Sequence, residues 1–142
     1  MIKKIDTLTA IELENILKIW LTANCDAHPF IPEAYWQGNL AFVREQLPQA
    51  DLYVYCENNE IIAFLGMNAH YIAGIFVKNG YRSRGIGQKL LNEAKHAHDT
   101  LSLSVYAKNQ NAVTFYEKQG FKQLNQQIDE HNELEYQLVW KK

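Results

Sequence analysis

Cysteine is scarce in this chain, with two residues at positions 25 and 56. They match no CxxC spacing, which leaves neither a disulfide framework nor a zinc site, and both are expected as free thiols in a reducing cytoplasm. No apolar run is long enough to span a bilayer, and the opening "MIKKIDTLTAIE" lacks the apolar centre of a secretory leader, so no membrane partner is expected. Proline is rare, and no Pro/Gly/Ser-rich stretch, repeat or low-complexity segment divides the chain. Residues 1–142 therefore read as a single domain. Neither sign of charge dominates: 14 Lys and Arg stand against 16 Asp and Glu, a net charge of −2. That excludes a broad nucleic-acid footprint and confines any anion site to a local cluster.

Apolar residues make up 47% of the 142 positions, enough for one sizeable core. Lys3 to Thr7 reads as a first strand. Thr9 and Glu12 form a capping-box pattern ahead of Ile11, Leu13, Ile16, Leu17, Trp20 and Leu21, which recur at roughly helical spacing. The irregular "NCDAHPFIPEAYW" follows, broken by Pro29 and Pro32, and then a second helix up to about Leu47. From Asp51 the period shortens: "DLYVYCE", the turn "NNE", "IIAFLGMNA" and "HYIAGIFV" read as three strands. "GIGQKLLNEAKHAH" has one apolar helical face, "TLSLSVYA" is a strand, and "NAVTFYEKQG" is a short helix ended by Gly120. "FKQLNQQI" and "ELEYQLVW" close the chain as an antiparallel pair. The order β-α-α-β-β-β-α-β-α-β-β predicts an α+β fold or mixed sheet with helices on both faces.

One stretch stands out. "YRSRGIGQKLL", residues 81–91, brings two arginines and two glycines between a strand and a helix. A helix start offers unpaired N–H groups and the positive end of its dipole, and glycine removes the Cβ atoms that would hold a phosphate off. A purely structural turn with solvated arginines accounts equally well for this segment alone. It is no Rossmann fingerprint, because position 90 is leucine and no acid ends a second strand about twenty residues on. It is no P-loop either, since Gly-Lys-Ser/Thr is absent.

Arg82, Gly85 and Gly87 do match Gln/Arg-x-x-Gly-x-Gly/Ala, the pyrophosphate loop of the GNAT superfamily of acetyl-CoA-dependent N-acetyltransferases. A second block, "LSVYAKNQNAVTFYEKQGF", resembles that family's C-terminal signature through Asn109, Ala112, Phe115-Tyr116 and Gly120-Phe121. "AHPFIPEAYW" is similar to the early loop of the small bacterial YiaC/YjaB-like members. The resemblance implies a mostly antiparallel mixed sheet of about seven strands, splayed between the fourth and fifth. It implies acetyl-CoA as cosubstrate and no metal. Ile75, Phe76 and Val77 would meet the pantetheine arm; Arg82, Ser83, Arg84, Gly85, Ile86 and Gly87 would hold the pyrophosphate. Asn109 would bind the arm or cap the helix it opens. Small members often pair, so a homodimer is compatible with the resemblance.

Chemistry would fall to Tyr116, which by composition alone is a core aromatic beside Phe115. In the family the tyrosine at this position is the general acid for the departing thiolate. Proton transfer from a phenol (pKa about 10) to a thiolate (about 8.5) is uphill by roughly 2 kcal/mol, so Tyr116 is a donor that yields its proton as charge builds on sulfur. A backbone N–H near Val77 would steady the oxyanion. No covalent enzyme intermediate is implied, so both substrates bind before transfer; a coenzyme-binding module with little catalysis is the alternative. The usual base positions depart from the pattern, being Ala73 and Ser104. At pH 7.4 only about one lysine side chain in a thousand is neutral, a handicap of about 4 kcal/mol, and an α-amine loses less than about 1 kcal/mol. A water chain through Ser104, His70 or Tyr106 would still serve a lysine. His28 is read as a base or acceptor contact, with Phe30, Tyr35, Trp36 and His70 around the amine, whether that belongs to a protein, a peptide or a small molecule. His96 and His98 are expected in solvent, and "QIDEHNELE" as a solvated hairpin that borders the acceptor mouth.

Overall fold

The computed structural model describes all 142 residues. Strands β1 (Ile2–Ile5), β2 (Asp51–Glu57), β3 (Glu60–Asn68), β4 (Tyr71–Val77), β5 (Thr100–Tyr106), β6 (Lys122–Ile128) and β7 (Leu134–Lys141) form one sheet in the order β1-β2-β3-β4-β5-β7-β6. Every neighbouring pair is antiparallel except β4 and β5, which run parallel. Parallel neighbours need a crossover, and helix α4 (Ile86–Ala97) supplies it. Helices α1 (Ala10–Ala27), α2 (Glu33–Gly38), α3 (Leu40–Gln46) and α5 (Gln110–Lys118) complete the chain. No helix is long and apolar enough to cross a membrane.

The two faces of the sheet are legible from residue alternation. On β2, Tyr53 packs with α4 and α5, whereas Leu52 and Val54 pack with Ile16, Leu17 and Ile19 of α1. On β3, Ala63, Leu65 and Met67 join the first group and Phe64 joins the second. A strand covered on both faces has no polar positions to alternate with, which is why "IIAFLGM" reads as a continuous apolar run. Asn58 and Asn59, both left-handed at φ 52° and 62°, make the tight β2–β3 turn.

Local signals at the helix ends hold. The Thr9–Glu12 capping box is present in both directions, with Glu12 N–H donating to Thr9 Oγ1 at 3.1 Å and Thr9 N–H to Glu12 Oε1 at 3.0 Å. Gly120 takes φ +96° just past α5. The first strand begins and ends earlier than its expected Lys3–Thr7 span. The expected second helix is two: Asn39 Nδ2 donates to the Tyr35 carbonyl at 2.6 Å, taking up a carbonyl from the helical ladder where α2 ends and α3 begins.

Leu90, fully buried on α4, fixes the crossover helix against the sheet. Leu90→Ala is expected to lower unfolding free energy by about 2–5 kcal/mol in a urea titration.

Candidate active site

One Cα pairing, Tyr71 with Ser102, joins β4 to β5, and the Ser102 N–H donates to the His70 carbonyl at 3.0 Å. Beyond it the strands part, and a cleft of about 1130 Å³ opens between them. Ile75, Phe76 and Val77 form its β4 wall. The Lys78 N–H turns away to the Ile62 carbonyl at 2.8 Å. Since N–H groups along a strand alternate in direction, those of Val77 and Ile75 face the gap.

At the foot of the gap lies the glycine turn. Gly85 is the N-cap of α4 at φ +78°, with nothing within 4 Å of where a Cβ would stand. Ser83 also adopts a left-handed conformation, φ +63°, a strained choice for a residue with a side chain and one that clusters at functional sites. No backbone bond uses the N–H groups of Arg82 to Gly85, and those of Ile86, Gly87 and Gln88 open the helix without a carbonyl one turn back. The result is a row of free donors at the positive end of a helix. Ser83, Gly85, Ile86 and Gly87 all line the cleft, although the Ile86 side chain is buried in the core.

The two arginines differ in placement: Arg82 lines the cleft and Arg84 does not. Arg82 folds back, donating from Nε to the Val77 carbonyl at 2.9 Å and from Nη1 to Asp26 Oδ2 at 3.0 Å. Arg84 lies over the Tyr81 ring, 5.2 Å from its centre, and outside the cleft lining. An anion at this turn therefore meets backbone N–H groups first, and Arg82 serves as a staple between the turn, β4 and the end of α1.

Tyr116 lines the cleft from α5, buried to 8% exposure. Burial, with a smaller push from the Tyr71 hydroxyl, holds its phenol well above the ordinary value of 10. Tyr71, a residue the sequence reading passed over, donates to Ser104 Oγ at 3.3 Å. Asn109 has both ends engaged: Oδ1 caps α5 by accepting from the Ala112 N–H at 3.3 Å, and Nδ2 lies 3.4 Å from His28 Nε2. With the amide fixed that way round, Nε2 of His28 is the acceptor and Nδ1 carries the proton. Burial pushes the His28 ring below its ordinary 6.5, partly offset by the nearby Asn24 carbonyl, although Nδ1 makes no hydrogen bond of good geometry. Trp36 stacks on His28 at 5.3 Å, and its Nε1 is likewise enclosed without a partner.

His28, Phe30, Trp36 and Ser104 thus share the cleft with the β4 wall, the turn, Asn109 and Tyr116. Tyr35 and His70 do not line it. Tyr35 donates to Glu130 Oε1 at 2.8 Å, and burial and that carboxylate push it up to about 12. His70 sits in the β3–β4 turn and contributes its carbonyl to the pairing described above. Ala73 lines the gap and brings no proton-accepting group. Cys25, beside α1's end, has its thiol pushed up by burial and by Glu33 and Asp26, which leaves it protonated.

A parallel pair that parts above a glycine-rich helix start, inside an otherwise antiparallel sheet, has counterparts. Residues 48–123 match the family model of the acetyltransferase (GNAT) domain. The chain belongs to the GNAT family of acetyltransferases. It is 38% identical over 112 residues to the peptidyl-lysine N-acetyltransferase YiaC of Escherichia coli (strain K12), covering 78% of this chain and 77% of that one. It is 30% identical over 112 residues to the peptidyl-lysine N-acetyltransferase YjaB of the same organism, covering 78% and 76%. The solution structure of the apo form of E. coli YjaB superposes with a TM-score of 0.84 at 25% identity, covering 99% of this chain and 97% of that one. A Bacillus anthracis structure in complex with acetyl coenzyme A shares the fold at a TM-score of 0.61 and 24% identity, covering 66% of this chain and 63% of that one.

The lowered His28 value has a measurable consequence. The unfolded chain takes up a proton near pH 6.5 that the folded chain takes up only at lower pH, so stability falls as pH drops below about 6.5. An NMR titration is expected to give a His28 midpoint under that value, and His28→Phe should lose less stability between pH 7 and 5 than the wild type.

Proposed function

We propose that this acetyltransferase moves an acetyl group from acetyl-CoA to a primary amine, with both substrates bound at once, and that its acceptor is the lysine side chain of a peptide or protein. One conjunction carries the reading: a row of free N–H donors, an unpaired β4 edge and the Tyr116 phenol all open onto a single gap. The fit to coenzyme A is good in each part. The turn's N–H groups and the helix dipole suit a pyrophosphate, and the open space over Gly85 lets it approach. The free edge of β4 suits amides of the pantetheine arm, which would pair with it as an added strand does. The names of the YiaC and YjaB relatives support a peptidyl-lysine acceptor.

Within this reading the chain's own groups divide the work. The gap-facing N–H of Val77 stabilises negative charge on the thioester oxygen as the amine adds. Tyr116 gives its proton to the sulfur as the carbon–sulfur bond breaks. Its raised phenol is a weaker acid than free tyrosine, so the proton is held until charge has developed. A coenzyme-binding module with little turnover is the second reading, favoured by Ala73 and Ser104 at the usual base positions.

The test is coenzyme thiol release with lysine-bearing peptides. Tyr116→Phe is expected to lower kcat by about 10²–10⁴-fold with coenzyme affinity retained. Because burial raises the phenol, no alkaline loss of rate from Tyr116 is expected up to pH 9.5. Tight coenzyme binding without turnover on any amine would establish the binding module instead.

A further inference from the structure

Acetyl transfer to lysine must dispose of an ammonium proton, and neither Ala73 nor Ser104 is a carboxylate. Two carboxylates line the cleft, Asp26 and Glu135. Asp26 is held by Arg82 at 3.0 Å. Glu135 takes part in no ion pair. Gln127 Nε2 donates to its Oε1, and Oε2 is left free.

Its direction follows from register. Glu135 on β7 stands opposite Tyr106 on β5, and directly opposed residues of an antiparallel pair share a face. Tyr136, Leu138 and Trp140 pack with the α4–α5 core, so Glu135 points the other way, to the side of Ser104 and Tyr106. Aromatic rings wall that side: His28 and Phe30 stand 5.2 and 5.3 Å from the Tyr106 ring, centre to centre. The Tyr106 hydroxyl is engaged by Asp129, which leaves its ring rather than its oxygen for a ligand. An ammonium is already accommodated at this mouth: Lys108 Nζ lies 5.4 Å from the Phe30 ring centre and 3.0 Å from Glu133 Oε2. Ring faces and carboxylates together are the surroundings that a cation prefers.

Resting on the acetyl-transfer reading above, the geometry points to Glu135 as the residue that receives the acceptor ammonium and takes its proton. The nitrogen passes one proton to the free carboxylate oxygen, and its lone pair forms the bond to the acetyl carbon. The carbon–sulfur bond breaks, and the sulfur leaves with the electron pair and takes the Tyr116 proton. The second proton of the added nitrogen restores the phenol, so the amide keeps one N–H and Glu135 passes its proton to solvent. Nothing is oxidised or reduced. Glu135 approaches from the sheet face opposite the α4–α5 core into which Tyr116 packs, so base and acid reach the gap from opposite sides.

The test measures wild type, Glu135→Gln and Glu135→Asp on a lysine peptide from pH 6.5 to 9.5, with coenzyme affinity and circular dichroism alongside. The titratable groups around Glu135 are Tyr106, Tyr35 and His28, with Asp129 on Tyr106, Glu130 on Tyr35, and the Lys108–Glu133 pair beside Phe30. His28, held below its ordinary 6.5, is mostly neutral through that window. Neither tyrosine titrates in that window, because burial and neighbouring carboxylates push both upward. Glu135→Gln is expected to lower kcat/KM by about 10²-fold and to make it rise about tenfold per pH unit, tracking the free amine. The wild type should show a shallower slope, Glu135→Asp should lie between, and coenzyme affinity should not change. A structural role alone would not alter the slope. Wild-type kcat/KM and slope in Glu135→Gln would overturn the assignment while leaving acetyl transfer intact. Should Glu135→Gln fail to fold, a wild-type slope in Glu135→Asp overturns it equally. No turnover by the wild type on any amine would overturn both.

Discussion

A backbone hydrogen bond between the Ser102 N–H and the His70 carbonyl marks the one point where β4 and β5 are paired. The site depends on the strands meeting there and parting at once. Had the parallel ladder continued, the N–H groups of Ile75 and Val77 would be taken up by β5 and no gap would exist. The parallel direction has a second consequence. It demands a crossover, and a crossover helix leaving the end of β4 sets its positive terminus at the foot of the gap. One topological exception in an antiparallel sheet thus creates both the free strand edge and the row of free donors.

The staple made by Arg82 ties these parts to the rest of the molecule. Its contacts to the Val77 carbonyl and Asp26 link the turn, the β4 wall and the last turn of α1, immediately before His28. Asn109 makes the corresponding link on the other strand's side, capping α5 with one end of its amide and meeting His28 with the other. His28 is therefore located from both walls of the cleft. That explains how a histidine in a loop broken by two prolines occupies a defined place among Phe30, Trp36 and Tyr106.

Much of this was legible in the residues because local rules agree with the global fold. The capping box, the paired asparagines of the β2–β3 turn, the glycine that ends α5 and the change of period at Asp51 each state their structure locally. The two family blocks did the same for the cleft: the turn and Tyr116 both line it. What could not be read were contacts between distant segments. Nothing in "RSRG" reveals that Arg82 turns back to a residue 56 positions away. The split between α2 and α3 rests on an asparagine side chain competing for a carbonyl, which apolar periodicity does not register. Glu135 lies in a hairpin that reads as solvated and as bordering the acceptor mouth, but which of its charges faces the cleft is set by the β5–β7 register.

The electrostatics of the gap follow from a single cause acting on groups of opposite charge type. Desolvation holds the Tyr116 phenol protonated and the His28 ring neutral. Neither of these two groups brings a charge to the cleft at neutral pH, and its two ends differ: helix N–H groups and the paired Arg82 and Asp26 at one, Glu135 and aromatic rings at the other. An anionic carrier and a cationic acceptor would each be drawn to its own end, and the bond between them would form where neither charge is screened by water. In such a place a proton moves only to a group that is already positioned to take it. The missing carboxylates on β4 and β5 therefore turn attention to the opposite rim and leave the reaction class unchanged.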